Sequence, residues 1–289
     1  MNGTDWFEHM PSQKQTTLVK FGGELLEKPR RLRRIAKTLA EYSSKTPIVV
    51  VHGGGREVDS EIEKLGIPKR VVDGLRVTDQ STLEVVLGVL AGRINARLVA
   101  AIGAAGGSAV GLTGADAGIS RVRRARRYRA VDGSMIDLGY VGVPDSNSKP
   151  RLIADLNQRG HIPVVASIGS DALGRLYNVN ADTFAGDLAV RIRASRLLIA
   201  GTTAGVLDQS GRTIPTINED VLMGLIEQKL AIGGMVAKLL ACRVARAGGV
   251  KEVAIVDGRR STFLDSKKGT SLTAVKSSLN PGRTLNHSG

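Results

Sequence analysis

Short, almost wholly apolar, β-branched runs recur along the chain, each followed by a stretch in which apolar residues return every three or four positions. Continuous apolar runs are the mark of strands covered on both faces, and the longer periodicity is that of helices with one buried stripe. The runs predict strands at Thr17–Lys20, Pro47–His52, Ala109–Leu112, Ile162–Ser167, Leu197–Ala200 and Val253–Val256. The periodic stretches predict helices at about 30–43, 55–65, 78–105, 149–159, 183–194, 218–229 and 235–247. Strands alternating with helices predict an α/β fold, a mainly parallel central sheet sandwiched between helices in three αβα layers. One segment breaks the pattern: Arg121–Val131 and Ser134–Val141 flank Asp132-Gly133, a hairpin signal. A second turn, Ser170–Gly174, precedes Leu176–Asn180.

Residues 1–15 lack periodicity and read as an N-terminal arm, and 276–289, rich in Ser, Asn, Pro and Gly, as a disordered tail. Between them two lobes are expected, 16–175 and 176–275. Ligands of open α/β sheets bind beyond the carboxyl ends of the strands, so the motifs at those ends should gather along one edge.

Chemistry enters with glycine and lysine. The first strand ends in Lys20-Phe21-Gly22-Gly23, and a lysine at the end of a buried strand is costly unless an anion meets it. Glycines there free backbone N–H groups to face a phosphate, although the run taken alone reads as readily as a tight turn. The second strand ends in His52-Gly53-Gly54-Gly55 ahead of a helix, whose N-terminus adds partial positive charge. His52 beside such a turn reads as a structural donor rather than a base. Gly233-Gly234 precede a helix whose Val236, Leu239, Leu240 and Val244 are expected to face the core. Lys238, in the first turn of that helix, opposes the macrodipole and invites an anion. Asn178 and Asn180 fall on one face of an extended run and could hold a polar ligand. Asp182 then begins a helix, where capping alone would explain a carboxylate. Arg76 precedes a long helix capped by Thr78 or Asp79 and suits a bidentate grip on a carboxylate.

Composition narrows the classes. Aromatics are 3% of residues, too few for stacking platforms on single-stranded nucleic acid, so nucleic-acid binding is not expected. Cys242 is the single cysteine, which excludes an intrachain disulfide and a cysteine-based metal cluster. No apolar leader is read at the N-terminus, and the longest apolar run, Val85–Ala91, is short for a membrane span; a cytoplasmic protein is expected. The net charge of +14 suits an enzyme whose substrates are all anions. Much of the excess is local, at Arg30, Arg31, Arg33 and Arg34, and at Arg121, Arg123, Arg124, Arg126, Arg127 and Arg129, which are expected along one strand.

Two lysines, two glycine cradles and an aspartate suit phosphoryl transfer, which needs charge neutralisation and positioning more than covalent help. Neither the P-loop spacing nor the protein-kinase glycine loop is present. Five blocks in order resemble the amino acid kinase family, in particular its branch acting on N-acetyl-L-glutamate. They are Val19–Gly23, Val51–Gly55, Gly74–Thr78, Tyr177–Asp182 and Gly233–Lys238. The resemblance implies ATP- and Mg²⁺-dependent phosphorylation of the γ-carboxylate of N-acetyl-L-glutamate, in arginine biosynthesis, by a homo-oligomer. It implies that Lys20 and Lys238 stabilise the transferring phosphoryl group and that Asp182 holds both lysines; no side chain is read as a metal ligand. It further implies that Gly22, Gly23, Gly53 and Gly54 donate N–H groups to phosphate oxygens, and that Gly54, Gly55, Arg76, Asn178 and Asn180 bind the acceptor. Thr202 stands where the family usually has aspartate, and Glu24 where a small polar residue is commoner. Alternatives on the same fold are a kinase of carrier-protein-bound α-aminoadipate or glutamate, and a non-catalytic anion-binding regulator.

Overall fold

The computed structural model describes residues 15–73, 75–130, 133–208, 210–231 and 233–273. The expected arm (save Gln15), the tail, Gly74 and Asp132 lie outside them.

Among the described residues, eight strands form one sheet: β1 Thr17–Phe21, β2 Ile48–His52, β3 Ala109–Thr113, β4 Ile162–Ala166, β5 Arg196–Gly201, β6 Thr216–Ile217, β7 Glu252–Asp257 and β8 Thr270–Leu272. Their order is β6-β8-β7-β5-β1-β2-β4-β3. The six strands from β7 to β3 run parallel, in agreement with the sequence pattern, while β8 is antiparallel to β7.

Strand alternation deals the apolar residues into two cores. Val19, Phe21, Val50, Val164, Leu198 and Val256 face one side, under helices α1 (Pro29–Ser43), α2 (Gly55–Lys64) and α3 (Gln80–Ala104). Leu18, Val49, Val51, Val165, Ile199 and Ile255 face the other, under α4 (Arg151–Gln158), α5 (Ala181–Arg191), α6 (Glu219–Glu227) and α7 (Gly234–Ala247). The three-layer αβα arrangement follows. In α1, Pro29 opens the helix, where a missing N–H costs nothing, and Leu32, Ile35, Ala36 and Leu39 form its buried stripe.

Helix α3 is long and apolar enough to cross a membrane by length and composition alone, yet Val86, Leu90, Ile94, Leu98 and Ile102 are buried in the first core. It is not one regular helix. Asp79 caps it, accepting from Thr82 N at 2.8 Å, and its middle, Gly88–Ile94, winds as a π-helix before α-geometry resumes at Asn95.

Three expectations need correction. The arginine-rich segment is not one strand: Val122–Arg124 pairs with Gly142–Pro144 and Tyr128–Arg129 with Met135–Ile136. Between these ladders the return leg leaves the hairpin, bridging Gly139 to Thr78 and Val141 to Asn178. Helix α5 begins at Ala181, two residues before the expected start, because Asn180 rather than Asp182 is its cap. In α7 the core face is Leu239, Ala241, Cys242 and Ala245, while Val244 is exposed.

Candidate active site

Strand β1 lies between β2 and β5, with successive connections running to opposite sides of it, and in open α/β sheets the carboxyl ends of strands at such a reversal form the ligand crevice. Lys20 shares the parity of Leu18 and so projects to the α5–α7 face, where its side chain is buried. Asp182 meets it from the first turn of α5, and Lys238 from the second turn of α7 rather than the first. Close packing of the two helices allows this: a Cβ on Gly186 of α5 would stand 2.9 Å from the Ala241 carbonyl oxygen of α7.

Lys20 Nζ is 2.8 Å from Asp182 Oδ1 and Lys238 Nζ 3.7 Å from Oδ2. The Lys20 approach is a charge contact at an angle outside hydrogen-bonding geometry, so Oδ1 accepts no hydrogen bond. Lys238 Nζ also donates to the Gly234 carbonyl at 3.3 Å. One carboxylate thus holds two cations, and the cluster carries a net positive charge in a largely dry place, where a charge contact is far stronger than in water.

Asp182 is free for this because Asn180 does the capping, its Oδ1 accepting from Asp182 N at 3.0 Å and Thr183 N at 3.1 Å. The amide oxygen of Asn180, an expected acceptor-binding group, is therefore occupied. Asn178 Nδ2 donates to Thr78 Oγ1 at 3.3 Å.

The two glycine loops touch: a Cβ on Gly23 would lie 2.5 Å from the Gly54 Cα. Not all of their amides are free for an anion. Gly53 N donates to Phe21 O at 3.3 Å and Gly22 N to Ala200 O at 3.4 Å, extending the sheet ladders. Helix α2 has no side-chain cap at Gly54, which leaves its first-turn amides to solvent or ligand. Over Gly22 sits the Glu24 carboxylate, 2.4 Å from where a Cβ would be.

Arg76 ends a small hairpin, Val71–Val72 with Leu75–Arg76. Its Nη2 pairs with the Asp59 carboxylate and donates to Gly55 O at 3.3 Å, while its buried Nη1 has no partner. At the opposite end of the crevice β5 closes on Gly201, followed by exposed Thr202, and its neighbour β7 ends at Asp257. Burial pushes the Asp257 carboxyl up, but the Arg259 side chain at 2.9 Å on both oxygens outweighs it and holds the group below the usual carboxylate range. Asp59 and Asp257 carry no motif of their own; only the fold brings them to the crevice. Two open cavities, about 530 Å³ around Arg196 and Glu252 at the amino ends of β5 and β7 and about 320 Å³ around Arg121 and Lys149, lie apart from the lysine cluster.

A buried lysine and a half-buried one share a single aspartate, an arrangement suited to phosphoryl transfer, on an αβα fold. A sequence profile of the amino acid kinase family matches residues 15–257, and the chain belongs to that family. Among its relatives, acetylglutamate kinase of Rhodospirillum centenum is 41% identical over 251 residues, covering 85% of this chain and 82% of that protein. Acetylglutamate kinase of Gloeobacter violaceus is also 41% identical, over 85% of this chain and 81% of its own. A solved structure from Streptococcus mutans superposes with a TM-score of 0.73 at 27% identity, covering 90% of this chain and 98% of that one. Carbamate kinase of Giardia, at 14% identity and a TM-score of 0.63, shares the fold.

Proposed function

We propose that the protein transfers the γ-phosphoryl group of ATP to the γ-carboxylate of N-acetyl-L-glutamate, an acyl-phosphate-forming step of arginine biosynthesis in the cytoplasm. The observation that carries this reading is the convergence of Lys20 and Lys238 on Asp182. The two ammonium groups neutralise charge on the phosphoryl group in flight, and Asp182 fixes their separation. Gly23, Gly54 and Gly55 offer amides to phosphate and acceptor oxygens. Arg76, braced by Asp59, binds the α-carboxylate with its unpartnered Nη1, and Asn178 binds beside it. The attacking carboxylate is ionised near neutral pH, so the reaction needs no general base.

Mg²⁺ fits this site only as part of the nucleotide complex. Among the described residues no three His, Cys, Asp or Glu side chains converge, and both Asp182 oxygens face lysines. The ion would be held by phosphates and water, as is usual for Mg²⁺. Residues 16–175 serve the acceptor, joined by Asn178 from the second lobe, 176–275 serve the nucleotide, and the working form is a homo-oligomer.

Incubation with ATP, Mg²⁺, N-acetyl-L-glutamate and hydroxylamine is expected to give a coloured hydroxamate. Product formed only when the acceptor is carried by an acidic protein would shift the reading to carrier-bound aminoadipate or glutamate. No product with any acceptor or nucleotide would leave an anion-binding regulator.

A further inference from the structure

On the α1–α3 side of β2, opposite the lysines, lies a buried polar cluster that the reaction itself does not use. His52, fully buried at the end of β2, places Nδ1 3.3 Å from the Gly53 carbonyl and Nε2 3.1 Å from Asn95 Nδ2. The same Asn95 nitrogen lies 2.9 Å from Val164 O and 3.3 Å from Leu112 O. A nitrogen facing two carbonyls is the amide donor, so His52 Nε2 must accept and Nδ1 must carry the proton it donates to Gly53 O. Burial, aided by the Arg97 charge and only partly offset by the Gly53 bond, lowers the His52 pKa to about 4, so the ring is neutral at pH 7.

Asn95 is the first residue after the π-helical turn, and that turn touches the same loop. A Cβ on Gly54 would fall 2.1 Å from Ile94 Cδ1 and 2.7 Å from Leu90 Cδ2, so the bare Gly54 rests directly on the π segment. Gly111 of β3 leaves room for Asn95, since a Cβ there would lie 2.2 Å from its Oδ1.

We propose that Asn95 and the π turn position the Gly53–Gly54 amide: Asn95 holds His52 as the Nδ1–H tautomer, His52 pins the Gly53 carbonyl to the α3 side, and Gly54 N–H is thereby turned to the lysine side. In a planar trans peptide the carbonyl and the N–H point in opposite directions, so fixing one fixes the other. A π turn at a functional site has precedent as a general device. The assignment rests on the kinase reading above for its consequence, but not for its geometry. His52 and Asn95 are positioning residues and touch no substrate.

Two isosteres separate this from a merely structural role. His52→Asn keeps an N–H where Nδ1 was; His52→Gln keeps a polar group where Nε2 was and loses that donor. We expect His52→Gln to lower kcat about 10- to 100-fold, as a displaced catalytic contact does. We expect His52→Asn to stay within about threefold, with the KM for N-acetyl-L-glutamate nearly unchanged in both. ¹⁵N NMR of the imidazole in the unsubstituted protein is expected to show the Nδ1–H tautomer, and Asn95→Leu to admit the Nε2–H form with a parallel fall in kcat. Equal kcat losses in the two His52 variants, tracking their melting temperatures, would overturn the proposal, as would an Nε2–H tautomer in the unsubstituted protein. The NMR result stands whatever the acceptor proves to be, so an error in the kinase reading would show separately, as absence of hydroxamate.

Discussion

The two faces of the sheet solve the same problem with different materials. At the carboxyl ends of β1 and β2, one face carries charges, Lys20 and Lys238 on Asp182, and the other a neutral set, Asn95 and His52 on a backbone carbonyl. Ionic groups taken from water cost several kcal/mol each unless closely paired, whereas neutral buried groups need only their hydrogen bonds. Two cations on one carboxylate leave an excess of positive charge that a transferring phosphoryl group can meet. The neutral face has no such excess, and its directional bonds give it orientation instead.

Removing the charge should show the larger effect. Lys20→Ala is expected to lower kcat by about two to three orders of magnitude, as loss of a transition-state charge contact does. Steady-state kinetics check this, and a change confined to KM would recast Lys20 as a uniform binding group.

Acid should break the neutral face. The unfolded chain binds a proton on His52 near pH 6.5 and the folded chain only near 4. The stability of this face is therefore fully present above 6.5 and is lost as pH falls toward 4, by about 1.4 kcal/mol for each pH unit in that window. Chemical denaturation of the unsubstituted protein and of His52→Asn across that window should show a steeper decline in the former, and parallel curves would remove His52 as the cause.

A smaller effect is expected at Arg76, where the charge is shared with Asp59. Arg76→Ala should raise the KM for N-acetyl-L-glutamate about ten- to hundredfold, the loss of hydrogen bonds to a charged group. A fall in kcat alone would place Arg76 at the phosphoryl group instead. The smallest belongs to the exposed arginines of the hairpin. Arg126→Ala with Arg127→Ala should change kcat with the free acceptor less than about twofold, since solvent and salt screen such charges. A collapse of kcat there would make the hairpin part of the acceptor site.

The six long parallel strands were legible because burial on both faces demands unbroken apolar runs, which few other structures require. The edge strand β6 and its neighbour β8, two and three residues long, leave no such trace. Lysines, glycines and Asp182 stood out by motif, yet Asn180 and Asp182 traded capping roles because both residue types cap well and lie two positions apart. Nothing local in Asn95 marks it, since its partners on β2, β3 and β4 are distant in the chain. The π turn is equally silent, because one extra residue per turn scarcely disturbs the spacing of Leu90, Ile94 and Leu98. The hairpin arginines suggested one strand because alternation cannot foresee a return leg drawn away to Thr78 and Asn178.

The parity of β1 has an evolutionary corollary. Because neighbouring residues point to opposite layers, deleting or inserting a single amino acid ahead of Lys20 would thrust its ammonium among Phe263 and the aliphatics beneath α1, and leave Asp182 facing hydrocarbon. Point substitutions in this strand can be sampled one at a time, but its length cannot drift by one. Lineages carrying this chain should therefore vary freely in the loops on either side of β1 while keeping the interval from Leu18 to Gly22 invariant.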